Sequence, residues 1–316
     1  MTSARKEKAR IGLVGARGHV GQELIAILRR HAGVEIAFVT SHTQPGARVP
    51  GLAISFEDLD AAGVAAKGAD AVVLALPNDL SRPMVQAIDA VKADTVIVDV
   101  SADHRFDEAW VYGLPELFRA KIKGATRIAN PGCYATAAAL VVGPVASLLA
   151  HPAQAFGVSG YSGAGTTPSP RNDVAALQDN LMPYHLVGHV HEREVTHHVG
   201  PVCLMPHVAA FFRGISMTVS LDLRESLSRE ALRKVFEHAY GSEPMVKITS
   251  EIPLVRGAQT RPWATIGGFS VDEVRSRAVV VSTLDNLLKG AASQAVQNLN
   301  LALGFSEVEG ILPWPR

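Results

Sequence analysis

Gly15-Ala16-Arg17-Gly18-His19-Val20-Gly21 follows a short apolar run, Arg10 to Val14, and opens a segment with Val20, Leu24, Ile27 and Leu28 at the helical period. A strand, a glycine turn and an amphipathic helix in that order decide the fold. Glycines at such a turn let the backbone approach a pyrophosphate, which then sits at the helix N-terminus. The spacing is GxxGxxG, not the commoner GxGxxG, and a glycine turn can simply be a turn. Its place directly after the first strand is what points to a nucleotide.

Working outward, Val34 to Val39 reads as the next strand, and Ala71 to Leu76 as another, ended by Pro77-Asn78. Thr95 to Val100 is a fourth, ended by Ser101, and Val85 and Ile88 mark the inner side of a crossover helix. Strands joined by helices predict an α/β domain, a Rossmann-type doubly wound parallel sheet whose ligands lie beyond the strands' carboxyl ends. Cofactor contacts are therefore expected at Gly15, Arg17, Gly18, His19, Val20, Gly21, Ser41, Pro77 and Ser101. An NAD-selective site usually has Asp or Glu at the end of the second strand. Here that strand runs into Thr40-Ser41-His42, where hydroxyls and a histidine suit a phosphate and no carboxylate repels it. NADP is the expected dinucleotide, with Arg48 or Arg17 as the alternative phosphate partner.

A second centre is Asn130-Pro131-Gly132-Cys133-Tyr134-Ala135-Thr136, backed by the apolar run Ala137 to Val142. Pro131 holds Asn130 extended, so Arg127 to Ala129 reads as a strand end, and the alanine-rich run as a helix. Cys133 then stands at a helix N-terminus, where orphan N–H groups favour the nucleophilic thiolate. The plainer reading is a small residue packed at a turn. Cys203, among Val202, Leu204 and Met205, is expected to be a buried, inert thiol.

Beyond this point the pattern changes. Phe156 to Ser159 is a strand leading into Gly160-Tyr161-Ser162-Gly163-Ala164-Gly165, and Ile215, Met217, Val219, Leu221 and Leu223 alternate strictly. Ser228 caps a helix with Leu232, Val235 and Phe236. Met245 to Ile248, Thr265 to Val271 and Ala278 to Thr283 add strands separated by turns. A largely antiparallel α+β domain is expected for residues 133–285, serving catalysis, substrate binding and oligomerisation. Residues 1–132, with a last helix in 286–316, make the dinucleotide-binding domain. Thr166 to Asn172 and Gly257 to Trp263 read as loops.

Composition excludes several classes. Lys+Arg and Asp+Glu both total 30, so a net charge of zero gives no general attraction to nucleic acid or an anionic membrane. Hydrophobic content of 47% over 316 residues is ample for two cores. The charged start (Arg5, Lys6, Lys8 and Arg10, with Glu7) reads as a solvated tail and not a secretory signal. No apolar run spans a bilayer, and two cysteines form no disulfide framework; a reducing cytoplasm is expected.

His185, His189, His191, His197, His198 and His207 are half of the 12 histidines. In a strand, His189 and His191 would point to opposite faces. Their spacing matches no common zinc pattern, so no metal is expected, and the remaining roles are acid/base and hydrogen-bonded structure.

Several segments together resemble the N-acetyl-gamma-glutamyl-phosphate reductase family. They are the glycine turn, Ser101-Ala102-Asp103-His104-Arg105-Phe106, Tyr112-Gly113-Leu114-Pro115-Glu116-Leu117, and Asn130 to Thr136. Ser159 to Gly165, Gly188-His189-Val190-His191-Glu192, Phe212-Arg213-Gly214 and Asp285-Asn286-Leu287-Leu288-Lys289-Gly290-Ala291-Ala292 follow in order. The likeness is greater than to aspartate-semialdehyde dehydrogenase, where an Asn-Cys pair stands in place of Gly132-Cys133. Val190 departs from the pattern, since many members carry arginine between the two histidines; Arg193 is the nearest substitute.

The resemblance implies NADPH-dependent reduction of an acyl phosphate to an aldehyde in arginine biosynthesis, by a homo-oligomer (dimer or tetramer). It implies Cys133 as nucleophile forming a thioester, His189 as acid/base, and Asn286 and Gly163 near the nicotinamide. Arg105, Arg213, His191 and Arg193 become candidates to hold the substrate's phosphate and carboxylate. Other readings are an aminoadipyl-phosphate reductase, N-acetylated or carrier-linked, an aspartate-semialdehyde dehydrogenase, and a dinucleotide-sensing protein without turnover.

Overall fold

Six short strands, each rich in Val, Ile, Leu or Ala, form one wholly parallel sheet. The computed structural model describes residues 8–313, so the tail reading for Arg5 to Glu7 lies outside the described residues. The elements run β1 (Ala9–Val14), α1 (His19–Leu28), β2 (Val34–Val39), α2 (Ala61–Ala66) and β3 (Ala71–Leu74). Next come α3 (Ser81–Val91), β4 (Val96–Asp99), β5 (Val111–Tyr112), α4 (Pro115–Ile122) and β6 (Arg127–Ala129). The sheet order is β2-β1-β3-β4-β6-β5. β1 has β2 on one side and β3 on the other, so the chain reverses its direction of travel there. That is the switch point beside which doubly wound sheets bind ligands. β3 and β4 are buried along their whole length, as a sheet covered on both faces requires. Val64 of α2 and Val85 and Ile88 of α3 pack with Val72, Leu74, Ile97 and Phe38 into one core.

The next segment is α5 (Cys133–Val142), β7 (Ala153–Gly160), α6 (Val174–Leu177), β8 (Leu181–Pro183), α7 (Val190–His198), β9 (Val202–Ala209) and β10 (Ile215–Asp222). It ends with α8 (Arg229–Tyr240), β11 (Val246–Ile248), α9 (Val255–Ala258), β12 (Ala264–Asp272) and β13 (Arg277–Leu284). Its seven strands are ordered β11-β12-β13-β10-β7-β9-β8. β10 pairs antiparallel with β7 and β13, as do β12 with β13 and β8 with β9; β7–β9 and β11–β12 are parallel. The sheet is mixed because the segment between β7 and β9, which carries α7, returns the chain in the same direction. Ile215, Met217, Val219 and Leu221 are buried, and α5 packs on β10 and β13. Tyr134 to Val142 are all buried, which suits a helix apolar all round. Ser228 does cap α8, accepting the Ala231 N–H.

Cys203 departs from expectation. Along β9 the buried side chains are Val202, Leu204, Pro206 and Val208, so strand alternation turns Cys203 outward and it is exposed. His189-Val190-His191 is also not in a strand: His189 is the N-cap of α7, and His191 lies in its first turn.

A π-helical segment at Leu288–Ala292 leads into α10 (Ser293–Leu303), which packs on α1, α4 and β4. Among the described residues, contacts therefore divide the chain into one unit that runs to Asn130 and resumes at Ala292, and a second, Pro131–Ala291.

Candidate active site

Cys133 begins α5, and its N-cap, Gly132, has no side chain to occupy the helix end. The Gly132 N–H donates to Glu194 Oε1 at 2.8 Å. Glu194 is a carboxylate on α7 with no solvent exposure. His191, three residues earlier on α7, shares that face. A Cβ on Gly132 would overlap the His191 imidazole, so only glycine lets the turn and the helix meet. On the other side, a Cβ on Gly290 would lie 2.7 Å from Cys133 Cβ. The His191 ring thus packs on the residue before Cys133, and Gly290 packs on Cys133 itself. The pocket Cys133 borders is lined by Tyr134, Ser159, Arg171, Tyr184 and His191, among others.

His189 Nδ1 accepts the His191 N–H at 3.1 Å. Accepting there requires Nδ1 to be unprotonated, so the neutral ring carries its proton on Nε2. Burial, then the charges of His185 and Arg171, lower its pKa to about 4. The ring is therefore a neutral N–H donor near pH 7 and is poorly placed to take a proton at Nε2. His185 and His191 lie 6.0 and 4.8 Å from it, centroid to centroid. His207 packs on Phe156, and His197 on His198.

Two phenols complete the wall. Burial, then the charge of Cys133, pushes Tyr184 up to about 12. Burial, then the charges of Tyr184 and Cys133, raises Tyr134 well above its usual value. Both stay protonated, and Tyr134 donates to the His207 carbonyl at 2.6 Å.

The expected arginines are differently engaged. Arg213 makes a two-point pair with Asp285, Nε to Oδ2 at 2.5 Å and Nη2 to Oδ1 at 3.0 Å. Asp285, fully buried, also accepts the N–H groups of Thr260 and Leu287. Arg105 is buried and donates to the carbonyls of Asn130 and Val100 at 3.0 and 2.9 Å, fixing the strand end that leads to the cysteine turn. Arg193 is exposed on α7. Asn286 accepts from the Gly214 N–H at 2.6 Å and donates to Ser162 Oγ at 2.9 Å, fastening the Gly160–Gly165 loop. Gly163, in that loop, lines the Cys133 pocket. Arg171, Tyr184 and Glu194 escape the sequence reading. Arg171 lies in a stretch with only loop signals, and Glu194 is recognisable only once α7 is seen to face Gly132.

In the first unit, the glycine turn fits a dinucleotide. Gly15 has φ +77°, and a Cβ there would meet the Ala75 carbonyl, just past β3. A Cβ on Gly21 would run into Ala16, whereas a Cβ on Gly18, the N-cap of α1, would make only an ordinary contact with the Gly15 carbonyl oxygen at 3.7 Å. Such a cradle leaves room for a pyrophosphate against the helix end. Arg17 is exposed in the turn, His19 and Val20 begin α1, and Thr40 Oγ1 accepts the Gly15 N–H at 3.2 Å. Ser41 Oγ accepts the Gln44 N–H. His42 hydrogen-bonds Asp58, an acid the linear sequence does not place near the second strand. Pro77 is exposed beyond β3, and Ser101 Oγ is spent on the buried Asp99 at 2.8 Å.

Two family models match, described as the NAD binding domain of semialdehyde dehydrogenase, at residues 10–125, and its dimerisation domain, at residues 133–286. Solved structures agree in fold. Aspartate semialdehyde dehydrogenase II from Vibrio cholerae, complexed with ASA, superposes with a TM-score of 0.77 at 18% identity, over 94% of this chain and 99% of that one. The Francisella tularensis aspartate semialdehyde dehydrogenase gives 0.76 at 15%, over 93% and 99%. The class is a semialdehyde dehydrogenase that uses a nicotinamide dinucleotide. N-acetyl-gamma-glutamyl-phosphate reductase from Stenotrophomonas maltophilia is 54% identical over 308 residues, 95% of this chain and 97% of the relative. The protein of that name from Xanthomonas euvesicatoria is 52% identical over 312 residues, 96% and 99%. The chain belongs to the N-acetyl-gamma-glutamyl-phosphate reductase family. Among the described residues no helix is long and apolar enough to cross a membrane.

Proposed function

We propose that the protein reduces N-acetyl-gamma-glutamyl phosphate to N-acetylglutamate semialdehyde, through a thioester on Cys133, in arginine biosynthesis. The observation that carries this is Cys133 at an uncapped helix N-terminus, in a pocket with His191. The helix end favours a thiolate, which attacks the acyl carbon and expels phosphate. His189, presenting Nε2–H, stabilises the negative oxygen of the tetrahedral species. When bound, the dinucleotide supplies the hydride that takes the acyl group to the aldehyde level. Collapse then returns the thiolate without needing a base, consistent with a histidine that holds its proton. His191, against the cysteine turn, orients Cys133 and borders the acyl group.

Several observations support NADP over NAD: Ser41, His42 and Thr43 at the second strand end, Arg17 in the turn, and Asp58 already engaged by His42. A homo-oligomer is supported by the dimerisation-domain match and by β7 and β9 side chains that alternate outward, Phe156, Cys203 and Met205 among them. The first unit takes the cofactor and the second the substrate and the oligomer contact.

The test is the reverse reaction with N-acetylglutamate semialdehyde, inorganic phosphate and NADP. Phosphate-dependent NADPH formation that disappears in Cys133→Ser is expected. Turnover only with aspartate semialdehyde or the aminoadipate homologue, or turnover without phosphate, would overturn the reading.

A further inference from the structure

The loop after Gly165 carries an arginine to the cysteine pocket. Asn172 ties that loop into a closed shape: Nδ2 donates to the Gly165 and Thr167 carbonyls at 3.0 and 2.8 Å, and Oδ1 accepts the Ser169 N–H at 2.8 Å. Asp173, the next residue, spends its carboxylate capping α6. Immediately before Asn172, Arg171 lines the same pocket as Cys133, with its guanidinium carbon 5.0 Å from the centroid of the Tyr184 ring. Among the described residues no carboxylate forms an ion pair with Arg171, in contrast to Arg213. A planar guanidinium resting on an aromatic face, with its charge left to the pocket, is a site for an oxyanion.

We propose that Arg171 binds the phosphate of the acyl phosphate, an inference that rests on the function proposed above. Phosphate is bonded to the carbon that Cys133 attacks, so it must occupy the cysteine's own pocket. The substrate's carboxylate is separated from that carbon by two methylenes and the α-carbon. Phosphate also has to leave once the thioester forms, and an exposed loop arginine meets solvent as well as the pocket. The planar fork can hold two oxygens of the leaving phosphate, so the electron pair of the breaking acyl C–O bond departs on a phosphate oxygen toward a positive charge, and a proton from water leaves inorganic phosphate as the dianion.

The reverse reaction separates the two anions, because phosphate and the carboxylate-bearing semialdehyde are then different substrates. In Arg171→Met the KM for phosphate should rise by about 10- to 100-fold, the loss expected for a charge-assisted pair, with the KM for semialdehyde little changed. Arg171→Lys should restore part of it. Binding can be read without turnover in a Cys203→Ser background, where inorganic phosphate should slow alkylation of Cys133. Arg171→Met should shift that protection to higher phosphate by a similar factor. Unchanged phosphate KM and protection would overturn the proposal; so would a rise in the semialdehyde KM instead, which assigns Arg171 to the carboxylate. A wild-type protein with no phosphate-dependent turnover contradicts the proposed function separately, and the protection experiment still decides the arginine.

Discussion

His189 and Glu194 define what single side chains do at this site. His189 receives a backbone N–H at Nδ1 and has its pKa lowered to about 4 by burial, then by the electrostatic effect of His185 and Arg171. Nitrogen NMR should find it as the Nε2–H neutral tautomer throughout pH 5.5 to 8. His189→Ala should lower kcat by about 10²- to 10³-fold, the cost of one oxyanion donor. A ring protonated near pH 6.5 would contradict the role. Glu194 acts through the backbone, because its carboxylate accepts the N–H immediately before the nucleophile. Glu194→Gln retains an acceptor and should keep most stability. Glu194→Ala strands a buried N–H and should cost about 1–3 kcal/mol in denaturant unfolding. Equal losses in the two variants would mean that the charge, not the hydrogen bond, matters.

Asp285 does comparable work for whole elements, joining the end of β13 to the turn before β10 and to the loop after α9. Asp285→Asn leaves Arg213 without its partner and should cost about 3–5 kcal/mol, the loss typical of breaking a buried pair. Thermal unfolding of the variant measures it. That pair spans 72 residues of sequence, and nothing local in Phe212-Arg213-Gly214 announces it. Local signals served better where period and burial agree: the strict alternation from Ile215 gave a half-buried strand, and the glycine turn gave the β1–α1 junction. They failed where a residue's own neighbours mislead. Val202 and Leu204 made Cys203 look buried, though alternation places it on the opposite face. The His-Val-His spacing has the period of a strand, yet His189 caps a helix and the chain turns at Gly188, with φ +70°. Arg171 was invisible because its position is set by the hydrogen bonds of Asn172, not by periodicity.

For the molecule as a whole, pH should act through the same buried groups. Unfolded His189 takes a proton near 6.5 and the folded ring only near 4. The unfolded state therefore binds more protons in that window, and stability should fall as pH drops from 6.5 toward 4. Burial raises Asp99 above 3.8, so its contribution runs the other way, falling as pH climbs from 3.8 through its folded value. Comparing the loss between pH 7 and 5 in wild type and His189→Asn isolates the first effect; the variant should lose less. The division of the chain has a consequence for its synthesis. Residues 131–291 are continuous, whereas the dinucleotide-binding unit is completed by residues from 292 onward, including α10 with its buried Asn298 bonded to Asn130 and Gly113. On the ribosome the inserted unit has every contact it needs before the flanking one does. Protease protection of stalled nascent chains should appear first in the later-translated segment, and the earlier-made sheet should stay cleavable until α10 has emerged.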